Sequence, residues 1–198
     1  MYHIHTTYGL VIQSRPHGEA NKIIYILTRD FGLITAIAQG IRYERSKLRY
    51  KVQDYNFANF SLVKGKEFWR LVGADEIFSV ENESGKLSSI KHQILCKVSA
   101  LLMRLVHGEE KSEQIYDCIW NFYNFNFESY SNNQDYIGTI ESLLVLRILY
   151  WLGYVSHNVD FVDLLKKVDF DESIVRILVE KRTIMNKSIN SALRESHL

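Results

Sequence analysis

The sequence predicts an α+β chain in which an all-β N-terminal barrel, residues 1–80, is followed by an all-α helical domain, residues 81–198. Three observations carry that division. Up to about residue 78 apolar side chains recur at a period of two, with turn residues between the runs. After residue 87 the period changes to 3.6. The single proline, Pro16, lies in the first part and leaves every helical pattern uninterrupted. A hydrophobic content of 46% over 198 residues is ample for a packed core, so the chain is globular.

The first strand is read in Gly9–Arg15 and the second in Lys22–Thr28. Asp30-Phe31-Gly32 is a hairpin signal leading into the third, Leu33–Gln39. Tyr55–Val63 and Phe68–Val72 are the fourth and fifth, joined by the turn Lys64-Gly65-Lys66. Five strands in so short a stretch predict an OB-fold, the five-stranded Greek-key barrel whose habitual ligands include oligonucleotides.

In the second part, Ser88 or Ser89 caps a helix whose apolar stripe runs Ile90, Ile94, Leu95, Val98, Leu101, Leu102, Leu105 and Val106, with Gly108 ending it. Ser112 caps a second helix striped by Ile115, Cys118, Ile119 and Phe122, and Tyr123–Asn133 connects to the third. That third helix, about Asp135 to Leu152, is apolar on most sides and ends at Gly153, the pattern of a bundle centre. Phe161–Val168 and Ser173–Lys181 are shorter helices, the latter preceded by Asp171-Glu172 as cap and N-terminal charge. Ser188 caps a last helix through Leu193.

The net charge of +1 conceals an asymmetry: residues 1–78 sum to +4 and residues 79–198 to −3. A polyanionic partner therefore belongs to the N-terminal part. Met1–Thr7 has neither the basic nor the apolar region of a secretory signal. The longest strongly apolar run, Leu143–Val155, is 13 residues with Arg147 inside it, too short to span a bilayer. A cytoplasmic protein with no membrane partner is expected. Cys96 and Cys118 form no CxxC pair and read as core thiols, while His3 and His5 lack further ligands at metal spacing; neither a metal nor a cofactor is predicted. Phosphate-binding, dinucleotide, zinc-protease and nucleophile-elbow motifs are absent, which leaves no residue with an assignable catalytic role.

The segment Gly40–Lys51 places five cations and two tyrosines in twelve residues. Cations neutralise phosphates and release counterions, and aromatic rings stack on unpaired bases. Arg42, Arg45, Lys47, Arg49 and Lys51 are the candidate phosphate ligands; Tyr43 and Tyr50 are the stacking candidates. If extended, the segment would present Arg45, Lys47, Arg49 and Lys51 as a row spaced roughly 6.5–7 Å apart. Arg15, Lys22, Lys64, Lys66 and Arg70 are read as an extension of the basic track across the barrel.

Arg15, Gly18-Glu19-Ala20, Leu27-Thr28, Gly32 and Ala38-Gln39-Gly40-Ile41-Arg42 with Ser46 together resemble the N-terminal OB domain of the bacterial RecO family. Leu152-Gly153-Tyr154 and Asn190-Ser191-Ala192-Leu193-Arg194-Glu195-Ser196 resemble that family's helical domain. The resemblance implies a nucleoid-associated mediator of recombination and repair that is not an enzyme. It would bind single- and double-stranded DNA, anneal complementary strands and, with RecR, help replace single-strand-binding protein by RecA.

The acidic tail of single-strand-binding protein would dock on the helical domain, with Lys166, Lys167, Arg176, Lys181 and Arg182 as candidate contacts. Many RecO proteins carry a four-cysteine zinc module after the Leu-Gly-Tyr helix, whereas here Val155–Asp160 contains no cysteine. Gln39 stands where the family often has Lys, which removes one cation. The alternatives from the residues alone are an OB-fold protein-interaction adaptor, for which the aromatics between Tyr116 and Tyr136 are a candidate surface, and an RNA-binding protein.

Overall fold

The computed structural model describes residues 3–78, 85–106, 108–111, 113–155 and 161–196. Among them five strands close a barrel: β1 Ile4–His17, β2 Asn21–Thr28, β3 Gly32–Ala38, β4 Phe57–Val63 and β5 Trp69–Phe78. The neighbour order is β1-β2-β3-β5-β4, with β4 returning to β1. Every pairing is antiparallel except β3 with β5, which is parallel and spans Ala36↔Trp69 and Ile37↔Arg70. This is the OB-like barrel that the alternation predicts, and with the helices that follow it makes the chain α+β.

β1 is longer than its predicted Gly9–Arg15 because it serves two partners. Its N-terminal half pairs with β4 from Ile4↔Val63 to Leu10↔Phe57, and its C-terminal half pairs with β2 from Gly9↔Thr28 to His17↔Asn21. Gly9 belongs to both ladders, and a Cβ there would stand 2.8 Å from Ile26 Cγ2 and 3.1 Å from the Phe60 ring. The closure thus needs a residue without a side chain where β1 passes from one partner to the other. β4 begins at Phe57, two residues later than predicted, because Tyr55 has a φ of 70° and cannot continue a strand. β5 runs on to Phe78, beyond its predicted end at Val72, pairing with β4 past a register shift between Ser61 and Leu62.

The barrel interior is filled by Val11, Ile24, Ile26, Ile34, Ala36, Ala58, Phe60, Leu62, Trp69, Leu71 and Ala74, all at most 5% exposed. These residues come from alternate strand positions, as a period of two requires.

The helices are α1 Lys86–Leu105, α2 Glu113–Asn124, α3 Gln134–Trp151, α4 Val162–Leu165, α5 Glu172–Val179 and α6 Arg182–Glu195. Two compact units result, one of Met1–Ser84 with Leu95–Tyr116 and the other of Gly85–Ile94 with Asp117–Leu198. In the first unit Tyr116 meets Phe57 edge to face at 6.4 Å.

Several helix boundaries differ from those expected. α1 starts at Lys86, so Ser88 and Ser89 lie inside its first turns, and the Ser89 N–H donates to the Gly85 carbonyl at 3.2 Å. Asn133 caps α3 by accepting the Tyr136 N–H at 3.1 Å, which leaves Asp135 in the first turn, where its charge faces the positive end of the helix dipole. The expected Phe161–Val168 helix shortens to the single turn of α4. α6 begins at Arg182, six residues before Ser188, whose hydroxyl donates to the Ile184 carbonyl within the helix at 3.1 Å. Asp171 caps α5 as expected, accepting the Ile174 N–H at 2.9 Å. The predicted cap Ser112 and most of the Val155–Asp160 connection, residues 156–160, lie outside the described residues.

α3 is the centre of the second unit, with Ile140, Leu143, Leu144, Leu146, Ile148 and Leu149 without exposed surface. Arg147 is equally buried. Its Nε and Nη2 donate to the Leu164 carbonyl at 3.1 and 3.0 Å, its Nη1 donates to the Asp169 carbonyl at 2.8 Å, and its guanidinium lies 4.7 Å from the Phe170 ring centroid. One cation thereby fastens the connection between α4 and α5 to the core helix.

Candidate nucleic-acid interface

Residues 39–56, between β3 and β4, form no strand. They are a chain of tight turns in which N–H groups donate three residues back: Tyr43 to Gly40 at 3.2 Å, Ser46 to Tyr43 at 3.0 Å, Arg49 to Ser46 at 3.3 Å and Lys51 to Leu48 at 3.1 Å. The expected extended row of Arg45, Lys47, Arg49 and Lys51 is therefore not present. A period of two needs an extended backbone, and here the backbone turns every three residues.

The turns are packed onto the barrel. Ile41 and Val52 are 2% and 1% exposed and belong to the barrel core, and Leu48 packs against it part-buried. Two apolar residues eleven positions apart thus plug the barrel while Arg42, Arg45, Lys47 and Arg49 between them face water. At the entry, the Gly40 N–H donates to Asn21 Oδ1 at 2.9 Å and Gly40 takes a φ of 65°. The Arg42 N–H donates to the Ala20 carbonyl, and its guanidinium donates to the Gly18 carbonyl, both at 2.9 Å. At the exit, Asn56 is fully buried, with Nδ2 donating to the Tyr50 carbonyl at 3.3 Å and its own carbonyl accepting from the Val11 N–H at 3.0 Å.

The cap so formed exposes Arg42, Arg45, Lys47 and Arg49 together with Tyr43 (55% exposed) and Tyr50 (68%). The Arg45 guanidinium lies 5.8 Å from the Tyr43 ring and that of Arg49 lies 6.0 Å from the Tyr50 ring, so each tyrosine has a cation beside it. Arg45, Lys47 and Arg49 have no carboxylate partner among the described residues. Lys51 differs: it is half-buried and pairs with Asp75 at 3.3 Å.

The five outlying cations do not form one track. Arg15 is exposed over the Tyr25 ring at 5.6 Å, and the ladder Arg15↔Ile23↔Ile37↔Arg70 puts both arginines in one transverse row on the outer sheet face. Lys22 pairs in register with the core residue Ala38 and donates to Ser14 Oγ at 3.3 Å, away from that face. Lys64 bonds Glu109 at 2.7 Å and lies 5.4 Å from the Trp69 ring. Partial burial acts to raise the Glu109 carboxyl, but hydrogen bonds from Lys64 and Trp69 outweigh it and hold the group below the usual carboxylate range. Lys66 is exposed, with no partner among the described residues.

The second unit holds the other candidate cations. Arg176 pairs with Glu172 and stands over Tyr130, Arg182 pairs with Asp135 at 2.9 Å, and Lys166 pairs with Asp163 at 3.2 Å. The side chains of Lys167 and Lys181 make no hydrogen bond or ion pair among the described residues, although the Lys167 charge helps to hold the Asp171 carboxyl down. The His3 and His5 rings lie 4.6 Å apart at a tilt of 32°, and His5 also meets Phe31 and Trp69 edge-on at 5.4 Å. No group of three or more His, Cys, Asp or Glu suited to a metal ion occurs among the described residues, and no helix among them is long and apolar enough to cross a membrane.

Asn21, Asn56, Asp75 and Glu109 are the residues that sequence reasoning missed. Ile41, Leu48 and Val52, isolated apolar residues within and at the end of the basic run, were the available signal that the segment is anchored.

Residues 1–79 match the family model described as the N-terminal region of recombination protein O. The chain is 28% identical over 160 residues to the DNA repair protein RecO of Clostridium acetobutylicum, covering 80% of this chain and 62% of that protein. It is 26% identical over 153 residues to the DNA repair protein RecO of Alkaliphilus metalliredigens, covering 76% and 59%. It is 26% identical over 114 residues to the DNA repair protein RecO of Gloeothece citriformis, covering 56% and 38%. The matched regions thus span between 38% and 62% of these relatives' own lengths.

Proposed function

Since the chain belongs to the RecO family of DNA repair proteins, we propose that it binds single- and double-stranded DNA and anneals complementary strands, acting with RecR in the exchange of single-strand-binding protein for RecA. The observation that supports this reading best is the cationic cap on the barrel. Arg42, Arg45, Lys47 and Arg49 are exposed and not paired with carboxylates among the described residues, and two exposed tyrosines stand among them. Two polyanionic strands repel each other, and a cationic surface lowers that repulsion until base pairing takes over. Annealing of this kind requires no covalent step, so no catalytic residue is assigned and the protein is proposed not to be an enzyme.

Phosphate contacts carry no sequence information, so binding is expected to be insensitive to sequence and steeply dependent on salt. Replacing Arg42, Arg45, Lys47, Arg49 and Lys51 together by Ala should weaken binding to oligonucleotides of any sequence. It should also reduce the slope of log affinity against log salt by about 3, one counterion contribution for each cation not already neutralised. An unchanged affinity and slope would remove the cap from the interface. The mediator role is tested by strand annealing with naked oligonucleotides and with oligonucleotides coated by single-strand-binding protein; failure in both arms counts against it.

A further inference from the structure

The cationic cap is held at its two ends by two asparagine side chains, which bond its backbone. At the entry, Asn21 at the start of β2 accepts the Gly40 N–H at 2.9 Å, in the residue whose positive φ starts the turns. At the exit, Asn56 has no exposed surface; its side chain donates to the Tyr50 carbonyl at 3.3 Å, and its backbone N–H donates to the Gln53 carbonyl at 3.1 Å. Next to it, the Tyr55 N–H donates to the Val11 carbonyl at 2.8 Å and the Val11 N–H to the Asn56 carbonyl at 3.0 Å, so the Asn56 side chain ties the cap to a backbone clamp on β1. Between the two asparagines the segment is nailed down by Ile41 and Val52.

Asparagine suits both tasks. Its short amide offers an acceptor or a donor to a backbone group that a turn has left without a ladder partner, and it carries no charge into a cationic neighbourhood. A segment of this length without such anchors would lose conformational freedom on binding a strand, and that cost would be subtracted from the affinity.

We propose that Asn21 and Asn56 are positioning residues that hold the cap in its strand-binding form before DNA arrives. The proposal rests on the reading of the cap as the strand-binding surface. It separates two contributions to one affinity: the cations set how many counterions are released, and the asparagines set how much ordering remains to be done on binding.

The test is a salt titration of binding to a random single-stranded oligonucleotide, using the full chain and its Asn21→Ala, Asn56→Ala and five-cation variants. Hydrogen exchange at the Gly40 and Lys51 amides is followed in parallel. The asparagine variants should each bind about fivefold to tenfold more weakly, the loss of one hydrogen bond's worth of pre-ordering. Their slope of log affinity against log salt should stay at the wild-type value, because the same cations meet the same phosphates once bound. Gly40 should exchange faster in Asn21→Ala, and Lys51 faster in Asn56→Ala.

Wild-type affinity in both asparagine variants, with reduced affinity and slope in the five-cation variant, overturns the clamp and leaves the strand-binding surface standing. Undiminished binding by the five-cation variant overturns the surface itself and the clamp with it. A reduced slope in the asparagine variants also overturns the clamp as drawn, since cations would then have left the interface. Should Asn56→Ala fail to fold, Asn21→Ala decides, because its half-buried side chain accepts a single bond at the rim of the barrel.

Discussion

Cys118 has no accessible surface, and burial pushes its thiol up to about 12 although the neighbouring Arg147 pulls it down. A thiol so protonated and enclosed does not react, whereas Cys96 is half-buried. Iodoacetamide at pH 8 should therefore label Cys118 only after denaturant is added; native labelling of Cys118 as fast as Cys96 would contradict the packing. Glu109 gives a second prediction with a definite sign. Its folded carboxyl is depressed below the usual range, so its stabilising contribution is complete above the unfolded value and is lost as pH falls through the folded one. In Glu109→Gln the amide oxygen still accepts from Trp69, but the charge facing Lys64 is gone. The acid limb of thermal stability between about pH 5 and pH 3 should be shallower than in the wild type, by less than about 1 kcal/mol because the carboxylate is 41% exposed and screened. Calorimetry over that range checks it.

At the scale of elements, the parts legible in the sequence are those fixed by local pattern. β2, β3 and α5 lie within a residue or two of their expected places because glycine turns and the Asp171 cap mark them locally. The cap of residues 39–56 was legible in its chemistry and not in its shape. Alternating cations suggest a strand, but the turns are dictated by where Ile41 and Val52 meet the barrel and by what Asn56 reaches across the sequence, and neither is a local property. α6 was cut short for a similar reason, since Ser188 satisfies its own hydroxyl inside the helix and marks no boundary. Two substitutions probe elements directly. Gly32, at the β2–β3 turn, has a φ of 70°, and a Cβ there would overlap the Glu110 carbonyl; Gly32→Ala should cost at least about 2 kcal/mol in urea unfolding. Arg147→Met fills similar volume but strands the Leu164 and Asp169 carbonyls, so a loss of about 3 kcal/mol is expected, with proteolysis appearing first between α4 and α5.

Across the whole molecule, charge is divided as the sequence divides it: a positive barrel half and a mildly negative helical half. The cations of the barrel, however, are not equivalent. Lys51 and Lys64 are spent on Asp75 and Glu109, so among the described residues the capacity to release counterions is concentrated in the cap. In the helical half, three of the five candidate contacts for an acidic partner are already engaged with carboxylates, which leaves Lys167 and Lys181 as the most available. Finally, the barrel is shut by a zip with very few teeth. β3 and β5 are joined through two parallel residue pairs, whereas each neighbouring ladder runs through seven or more. Thermal breathing should part the wall along that line, and the amides of Ile37 and Leu71 should take up deuterium well before that of Ile26. Because the cap springs from the end of β3, anything that stiffens the cap should slow exchange at the same two amides, which would then report on the cap from within the wall itself.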